Sequence, residues 1–539
     1  MVDYSDPKTL WTDVEAFCTK SGRTILWAHN LGYDVRITQA FDILPELGWR
    51  LTAHNIGKNS VWLEWKKDDK TLLMADSVTV YGQKLQKIGA YFGLGQVPIP
   101  DDRDSDAGWL ARCRQDVVIL QTAMLAYLKW IEDEDMGNWR LTGAAQSWAT
   151  FRHKFLTHKL VIHDDEEALK AERRAMWAGR CEAYWHGELK GQVVHEWDFT
   201  QAYARIARDN PVPVRLLGPM PPGYDWRRIV DSSKSALLAE VRITTDLPVV
   251  PCESDGRILW PVGTFTTTLW DVEIKAALDA GATVDVERGW LYHMEPALKA
   301  WGEWIIGRLE APDNDCPTWQ KVILKHQSRA LIGYMAMTHN TWEEFATVDD
   351  SRVQRSTMID LDKGTSQDMI QVGHDVWIDG GRVESPNSMP MVTGYVQAVS
   401  RVHLWKILNK LPEGAALYVD TDSLLCTDSF SRVVAEVAHG LGFDGFRLKR
   451  SWDGFTIRGP RQLITGQLIR VSGVPRDAHQ IDKMHLVGEV WDSLPGSIQR
   501  GDVGSVVIRD RTWTIPGVDN RRTSNGFGWT APVRVGVTA

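Results

Sequence analysis

Asp198, in Glu-Trp-Asp-Phe-Thr-Gln-Ala-Tyr, and the pair Asp420 and Asp422, in Tyr-Val-Asp-Thr-Asp-Ser, lie far apart in the chain but have the chemistry of one metal site. Mg²⁺ takes hard oxygen ligands, usually one or two carboxylates completed by water and substrate phosphate. A pair of such ions activates a hydroxyl nucleophile and steadies the leaving oxyanion of a phosphoryl transfer. A D-x-D alone is a weak signal, because aspartates in a tight turn commonly cap backbone N–H groups. A basic helix between the two clusters strengthens it. Over Trp319 to Leu331, Lys321, Lys325 and Arg329 recur at i, i+4 and i+8 and line one side, opposite Ile323, Leu324, Ala330 and Leu331. No acid lies between Gln320 and Asn340 to neutralise that ridge. It suits a triphosphate; a solvated basic face is the alternative.

The elements that must position these groups follow from periodicity and punctuation. Val193 to Phe199 reads as a strand carrying Asp198 near its end, and Gln201 to Asp209 as a helix halted by Asn210-Pro211. Pro390 to Leu411 reads as a helix, and Ala415 to Val419 with Leu424 to Thr427 as a β-hairpin with Asp420 and Asp422 at its tip. Earlier, Asp6-Pro7 opens a helix whose inward stripe is Leu10, Val14 and Phe17. A strand over Thr24 to Ala28 then delivers His29-Asn30-Leu31-Gly32-Tyr33-Asp34 at its carboxyl end, where α/β sheets gather ligands. Thr71 to Ala75 is a further strand, followed by Asp76-Ser77, and Tyr81 to Phe92 an amphipathic helix with Leu85, Ile88 and Phe92 inward. Asp116 falls early in a helix, where a cap or dipole partner is the ordinary reading.

The chain has 539 residues, 43% hydrophobic and 24% charged, enough for several cores and three or more subdomains. Neither a signal peptide nor a membrane-spanning apolar run is recognisable, which leads to the expectation of a cytoplasmic protein with no membrane partner. The six cysteines are scattered without C-x-x-C spacing and read as reduced structural thiols. The formal charge of -9 is unevenly spread. From Phe446 onward, Arg447, Lys449, Arg450, Arg458, Arg461, Arg470, Arg521 and Arg522 make a basic tail, a candidate for duplex phosphates or an ordinary solvated surface.

These residues resemble the motifs of the family B DNA polymerases, particularly the compact branch of protein-primed phage and linear-plasmid enzymes. Asp198-Phe-Thr-Gln-Ala-Tyr203 resembles motif A, Lys325-His-Gln-Ser-Arg-Ala-Leu-Ile-Gly333 motif B, and Tyr418-Val-Asp-Thr-Asp-Ser423 motif C without departure. Ala175-Met-Trp-Ala-Gly179-Arg180-Cys-Glu182 is similar to the family's Y-x-G-G linker, with methionine in the tyrosine position. Arg458-Gly-Pro-Arg461-Gln-Leu463 occupies the place of the K-x-Y element, and Ser472-Gly-Val-Pro475-Arg476 that of K-G-x-P-K. In motif B, Arg329, Ala330 and Ile332 stand where asparagine, serine and tyrosine are usual, which implies an altered check on the nascent base pair.

The resemblance implies an α/β plus α+β architecture: an RNase H-like 3′ to 5′ exonuclease-type domain followed by a right-hand polymerase of palm, fingers and thumb. The expected divisions are 1–165 exonuclease-like, 166–285 first part of the palm with motif A, and 286–345 fingers with motif B. Residues 346–445 then make the second part of the palm with an insertion and motif C, and 446–539 the thumb. Asp198, Asp420 and Asp422 become the catalytic acids, with Asp198 and Asp422 holding two Mg²⁺ ions, for which Mn²⁺ can substitute. Tyr203, Arg308, Lys321, Lys325 and Arg329 become the nucleotide-binding set, with the Tyr203 ring leaving little room for a ribose 2′ hydroxyl; without the motif, Tyr203 reads as core. Tyr418, Arg461, Arg180 and Arg476 become DNA contacts. The implied partners are primer-template DNA, deoxynucleoside triphosphates and a terminal protein or other replication factor.

Asn30-Leu-Gly-Tyr33-Asp34 resembles the second exonuclease motif and Asp116 the acid of the third, where Arg112 replaces the usual tyrosine. The first motif, D-x-E on a strand, is missing, through loss or a truncated start. Asp13-Val-Glu15 is a poor substitute, because residues two apart on a helix point nearly opposite ways. Proofreading is therefore expected to be weak or absent, with Asn30, Tyr33 and Asp34 retained for single-stranded 3′ ends. Lys84-Leu85-Gln86-Lys87-Ile88 is a loose match to a strand-binding element. Thr347 to Arg382, polar and turn-rich, resembles the palm insertion that displaces the downstream strand in protein-primed members. A catalytically silent nucleic-acid-binding relative and a D-x-D sugar-nucleotide transferase are the alternatives; the second leaves Asp198 without a role.

Overall fold

The computed structural model describes residues 2–57, 60–101, 106–360, 364–443, 445–465, 469–515 and 521–536, apart from the side chains of Ser351 and Asp360. They fall into two compact units, each assembled from three stretches of chain: Met1–Lys154, Ala311–Pro386 and Val490–Arg509 in the first, and Phe155–Glu310, Asn387–Glu489 and Asp510–Ala539 in the second.

The first unit is built on a four-stranded sheet in the order Arg23–Ala28, Lys70–Asp76, Val61–Lys67, Arg50–Ile56. The first pair is parallel, with Ala28 opposite Asp76, and the others are antiparallel. Leu72, Leu73, Met74 and Ala75 are all buried, as an inner strand covered on both faces requires. The helix Pro7–Phe17 is capped by Asp6, which accepts from the Lys8 and Thr9 N–H groups. Leu10 and Val14 pack on the core as expected, but Phe17 is 73% exposed; the inward face is completed by Trp11 and Cys18, at i+1 and i+8 from Leu10.

The helix expected over Tyr81 to Phe92 is two, Val78–Tyr81 and Leu85–Tyr91. Gly82 between them is left-handed at φ 60°, which ends the first. Ile88 is buried, while Leu85 and Phe92 are only half-buried. The next helix runs from Asp106 to Asp133, so Asp116 lies well inside it and is not a cap.

The basic helix spans Thr318–Tyr334 in this same unit and packs on Gly143–Thr150, where Ser147 Oγ donates to the Gln327 carbonyl at 3.0 Å. The polar stretch expected to be turn-rich is instead a long antiparallel ribbon, Thr338–Asp360 against Thr365–Glu384. Val353, Ile370 and Val372 turn into the unit's core, and Gln371 is buried with them because its amide donates to the Asp350 and Gly373 carbonyls. Residues 361–363 of the stretch lie outside the described residues. Arg50 fixes the ribbon with paired 3.0 Å hydrogen bonds to both carboxylate oxygens of Asp375.

The second unit holds a five-stranded sheet in the order Arg534–Val535, Val262–Trp270, Ser235–Thr245, Thr283–Glu295, Val212–Pro219. Its seven-stranded sheet has the order Ile469–Val471, Gln462–Ile464, Phe446–Gly459, Gly187–Phe199, Ser423–Thr427, Tyr418–Asp420, Cys181–Ala183. The latter therefore continues past residue 446 to Val471. The helix Pro390–Leu408 is apolar nearly all round because it serves two cores: Val402 and Trp405 join the cluster on the five-stranded sheet, and Leu404 and Ile407 the one on the seven-stranded sheet. The helix Ala202–Asp209 approaches Lys299–Glu310 at Gly302, where a Cβ would stand 2.7 Å from the Ala204 carbonyl oxygen. Among the described residues, no helix is long and apolar enough to cross a membrane.

Candidate active site

Asp198 closes the long strand Gly187–Phe199, and Asp420 and Asp422 bracket the turn of the adjacent hairpin, as expected. Ser423 is the cross-strand partner of Asp198, and the Phe199 N–H donates to the Asp422 carbonyl at 2.9 Å. The three acids, distant in sequence, thus share one edge of one sheet. Thr421 is left-handed at φ 63°, the conformation that keeps this hairpin tight between Asp420 and Asp422. Burial pushes the Asp422 carboxyl up to about 7; the Asp198 and Asp420 charges add to the rise and Lys449 opposes it.

The cation beside these acids is Lys449, which the sequence offered only as part of a basic tail. Its ammonium donates to Asp198 Oδ2 and lies 3.4 Å from Glu196 Oε1. Glu196, 1% exposed, also meets Arg450 Nε at 3.3 Å and Arg470 Nη1 at 3.4 Å. The signal for Glu196 was present in the sequence: residues two apart on a strand share a face, so Glu196 accompanies Asp198. The donor set fits a divalent ion, since Asp198 and Asp422 offer hard oxygens whose mutual repulsion a cation relieves, and a cation already sits on one of them. Two carboxylates are as many as Mg²⁺ commonly takes from protein. Among the described residues no group of three His, Cys, Asp or Glu side chains is gathered in ligating arrangement.

The expected DNA contacts divide. Arg461 and Arg476 are exposed. Arg180 and Tyr418 are each 1% exposed, which corrects their assignment, because a buried side chain cannot reach a phosphate. Arg180 donates through Nε to Glu182 at 2.6 Å and through Nη1 to the Pro248 carbonyl at 2.9 Å, between the rings of Trp260 and Trp405. Its own carbonyl accepts from the Thr421 N–H at 2.7 Å, so it supports the hairpin from beneath. The Tyr418 hydroxyl lies 3.2 Å from Cys181 Sγ and accepts from the Arg461 N–H at 3.0 Å. The basic tail is corrected in part too: Arg522 is buried and donates to Glu182 at 2.8 Å, and Arg450 and Arg470 serve Glu196.

Of the expected nucleotide-binding residues, Tyr203 and Arg308 are half-buried on helices of the second unit. Lys321, Lys325 and Arg329 lie on the basic helix of the first, with Lys325 and Arg329 exposed. The ridge is not free of acid: Lys321 pairs with Asp313 at 2.8 Å and donates to the Ala311 carbonyl at 2.6 Å. Asp313 escaped notice because it precedes the helix. Ile332, expected beside a base pair, is buried.

In the first unit, Asn30 is left-handed at φ 74° and caps Leu31–Ile37, the helix carrying Tyr33 and Asp34. Asp76, which the sequence marks only as the residue after a strand, organises this turn by accepting from the N–H groups of Asn30 at 3.0 Å, Leu31 at 3.1 Å and Val78 at 3.0 Å. That this strand runs parallel to the one delivering Asn30 is what the structure adds. Burial pushes the Asp34 carboxyl up to about 7, with the Asp76 charge adding. Asp116 accepts from Gln96 Nε2 at 2.7 Å and lies 4.0 Å from Arg112 Nε. Asp13 and Glu15 are engaged elsewhere, with Tyr4 at 3.0 Å and with Lys67 at 2.6 Å.

No protein-family model matches the chain, and no curated protein is similar to it in sequence. Solved structures are similar in fold. Phi29 DNA polymerase complexed with primer-template DNA and incoming nucleotide superposes with a TM-score of 0.63 at 14% identity, covering 92% of this chain and 91% of that one. Phi29 DNA polymerase complexed with single-stranded DNA gives 0.60 at 14% identity over the same shares. The mixed α/β architecture is thus similar over nearly its whole length to that of phi29 DNA polymerase, a protein-primed member of family B.

Proposed function

We propose that the chain is a template-directed DNA polymerase that adds deoxynucleotides to a primer 3′ hydroxyl. One observation carries the reading: Asp198 and Asp422, from distant parts of the sequence, meet where the strand Gly187–Phe199 runs beside the turn of its neighbouring hairpin, in a chain whose fold is similar to a polymerase held with primer-template DNA and nucleotide. Asp198 and Asp422 are the ligands for Mg²⁺, and Asp420 is their acidic neighbour. Bound there, Mg²⁺ supplies charge that lowers the pKa of the primer hydroxyl and neutralises the transferred phosphate. Asp198 and Asp422 orient the reacting ends, so no side chain of this protein serves as nucleophile. Lys325 and Arg329, exposed and cationic, take the triphosphate; Lys321 is already committed to Asp313. Tyr203 excludes a ribose 2′ hydroxyl by bulk.

Proofreading is weak or absent in this reading, because Asp76, the acid whose charge reaches Asp34, is committed to the N–H groups of Asn30, Leu31 and Val78, and Asp116 is engaged by Gln96. A terminal protein as primer is part of the proposal only by analogy of fold.

The test is extension of a labelled primer on a template with Mg²⁺ and all four deoxynucleotides, beside Asp422→Ala. Extension by the parent and none by the variant supports the reading. No extension by either, with DNA bound normally, replaces it with a silent binding protein. Rapid shortening of the primer without nucleotides overturns the proofreading statement.

A further inference from the structure

Lys449 occupies its position through a β-bulge. In the pairing of Phe446–Gly459 with Gly187–Phe199, Leu448 opposes Trp197 and Arg450 opposes Glu196, leaving Lys449 as the extra residue. A bulge of this kind turns a side chain out of the regular alternation. Here it brings the ammonium to the face shared by Glu196 and Asp198, where it touches both carboxylates.

The surroundings make Lys449 unlike its neighbours. Arg450 and Arg470 already compensate the buried Glu196, and neither is paired with Asp198. Lys449 is the cation with a choice of two seats. Its side chain is 38% exposed, and a lysine stem is flexible enough to swing an ammonium between carboxylates this close.

We infer that Lys449 is a tethered counter-ion that competes with a divalent metal ion for Asp198 and retires to Glu196 when the metal binds. The inference rests on the reading of Asp198 as a metal ligand. Its consequence is that this residue sets the metal affinity of the site before DNA or nucleotide arrives. The two charges cannot share one oxygen: metal binding at Asp198 moves the ammonium, and removing the ammonium frees the ligand.

Mn²⁺ binding to the full chain, followed by electron paramagnetic resonance without DNA or nucleotide, tests this. Lys449→Met should tighten Mn²⁺ binding by about tenfold, the change expected from releasing an ion pair worth about 1.4 kcal/mol. Arg470→Met removes the same charge from the same cluster without touching Asp198 and should shift binding by less than about threefold, as for a screened, indirect charge. Should Lys449→Met not fold, Lys449→Gln makes the same measurement. Asp198→Asn is the control for the site. Loss of binding there, with Lys449→Met equal to or weaker than the parent, overturns the role of Lys449 alone. Equal tightening by Lys449→Met and Arg470→Met also overturns it, in favour of general electrostatics. Undiminished binding by Asp198→Asn overturns the metal-ligand reading and the inference together.

Discussion

Gly179 lies against Thr421 so closely that a Cβ at position 179 would stand 2.6 Å from the threonine Cγ2 and 2.8 Å from its Cα. The next residue's carbonyl accepts the Thr421 N–H. The segment resembling the Y-x-G-G linker is therefore the floor on which the Asp420–Asp422 hairpin rests.

Gly179→Ala should displace that hairpin. Thr421 is left-handed and has no spare backbone freedom, so the shift passes to Asp420 and Asp422. Misplacement of catalytic groups by about 1 Å costs about a hundredfold in rate. Single-turnover extension should fall by that order, with overpacking lowering stability by about 1–3 kcal/mol; an unchanged rate would count against the floor.

Arg180→Met should act on stability and leave intrinsic DNA affinity alone. It strands Glu182, itself 1% exposed, with Arg522 as its remaining cationic partner. Breaking a buried pair from one side costs about 3–5 kcal/mol. Denaturant unfolding measures the loss, and the DNA affinity of the folded fraction should match the parent.

Stability of the first unit should fall with acid through His54. Burial pushes its pKa down from 6.5 to about 4, and neither ring nitrogen has a hydrogen-bond partner among the described residues. The unfolded chain takes up a proton near 6.5 that the folded chain refuses until about 4. Stability is thus full above 6.5, declines as pH falls through that window, and loses at most about 3 kcal/mol. His54→Leu should flatten this part of the stability–pH curve, measured by urea unfolding at several pH values.

Lys325→Ala should raise the KM for deoxynucleotides by about tenfold or more if the ammonium holds the triphosphate, since a charge-assisted contact is worth about 1.5–3 kcal/mol. Lys321→Ala should do much less to KM, because that ammonium is held by Asp313 and the Ala311 carbonyl. Steady-state extension with varied nucleotide separates the two; equal effects would mean that the whole ridge acts as one field.

Local patterns carried much of this fold. The Asp6 cap, the strand ending at Asp198, the helix stopped before Pro211 and the hairpin tip at Asp420 and Asp422 all rest on rules that act over a few residues, and each stands where those rules place it. The failures also share a cause. Spacing alone puts Phe17 inward, while packing selects Trp11 and Cys18. Arg180, Tyr418 and Arg522 have side chains that favour DNA in the abstract, and burial turned them into supports. The long ribbon is not legible in the sequence because a polar stretch with a few scattered valines and isoleucines looks like loop until a partner strand exists.

What the sequence determined by itself was the set of acids and the elements bearing them, because capping, proline breaks and two- or 3.6-residue periods need no distant partner. The tertiary structure alone decided which charges meet. Lys449 reaches Asp198 only through a bulge in strand pairing, Asp76, marked in sequence as the end of a strand, meets the Asn30 turn only because that strand pairs in parallel, and Glu182 acquires Arg522 from the far end of the chain. Those contacts depend on register and burial, which linear spacing does not encode.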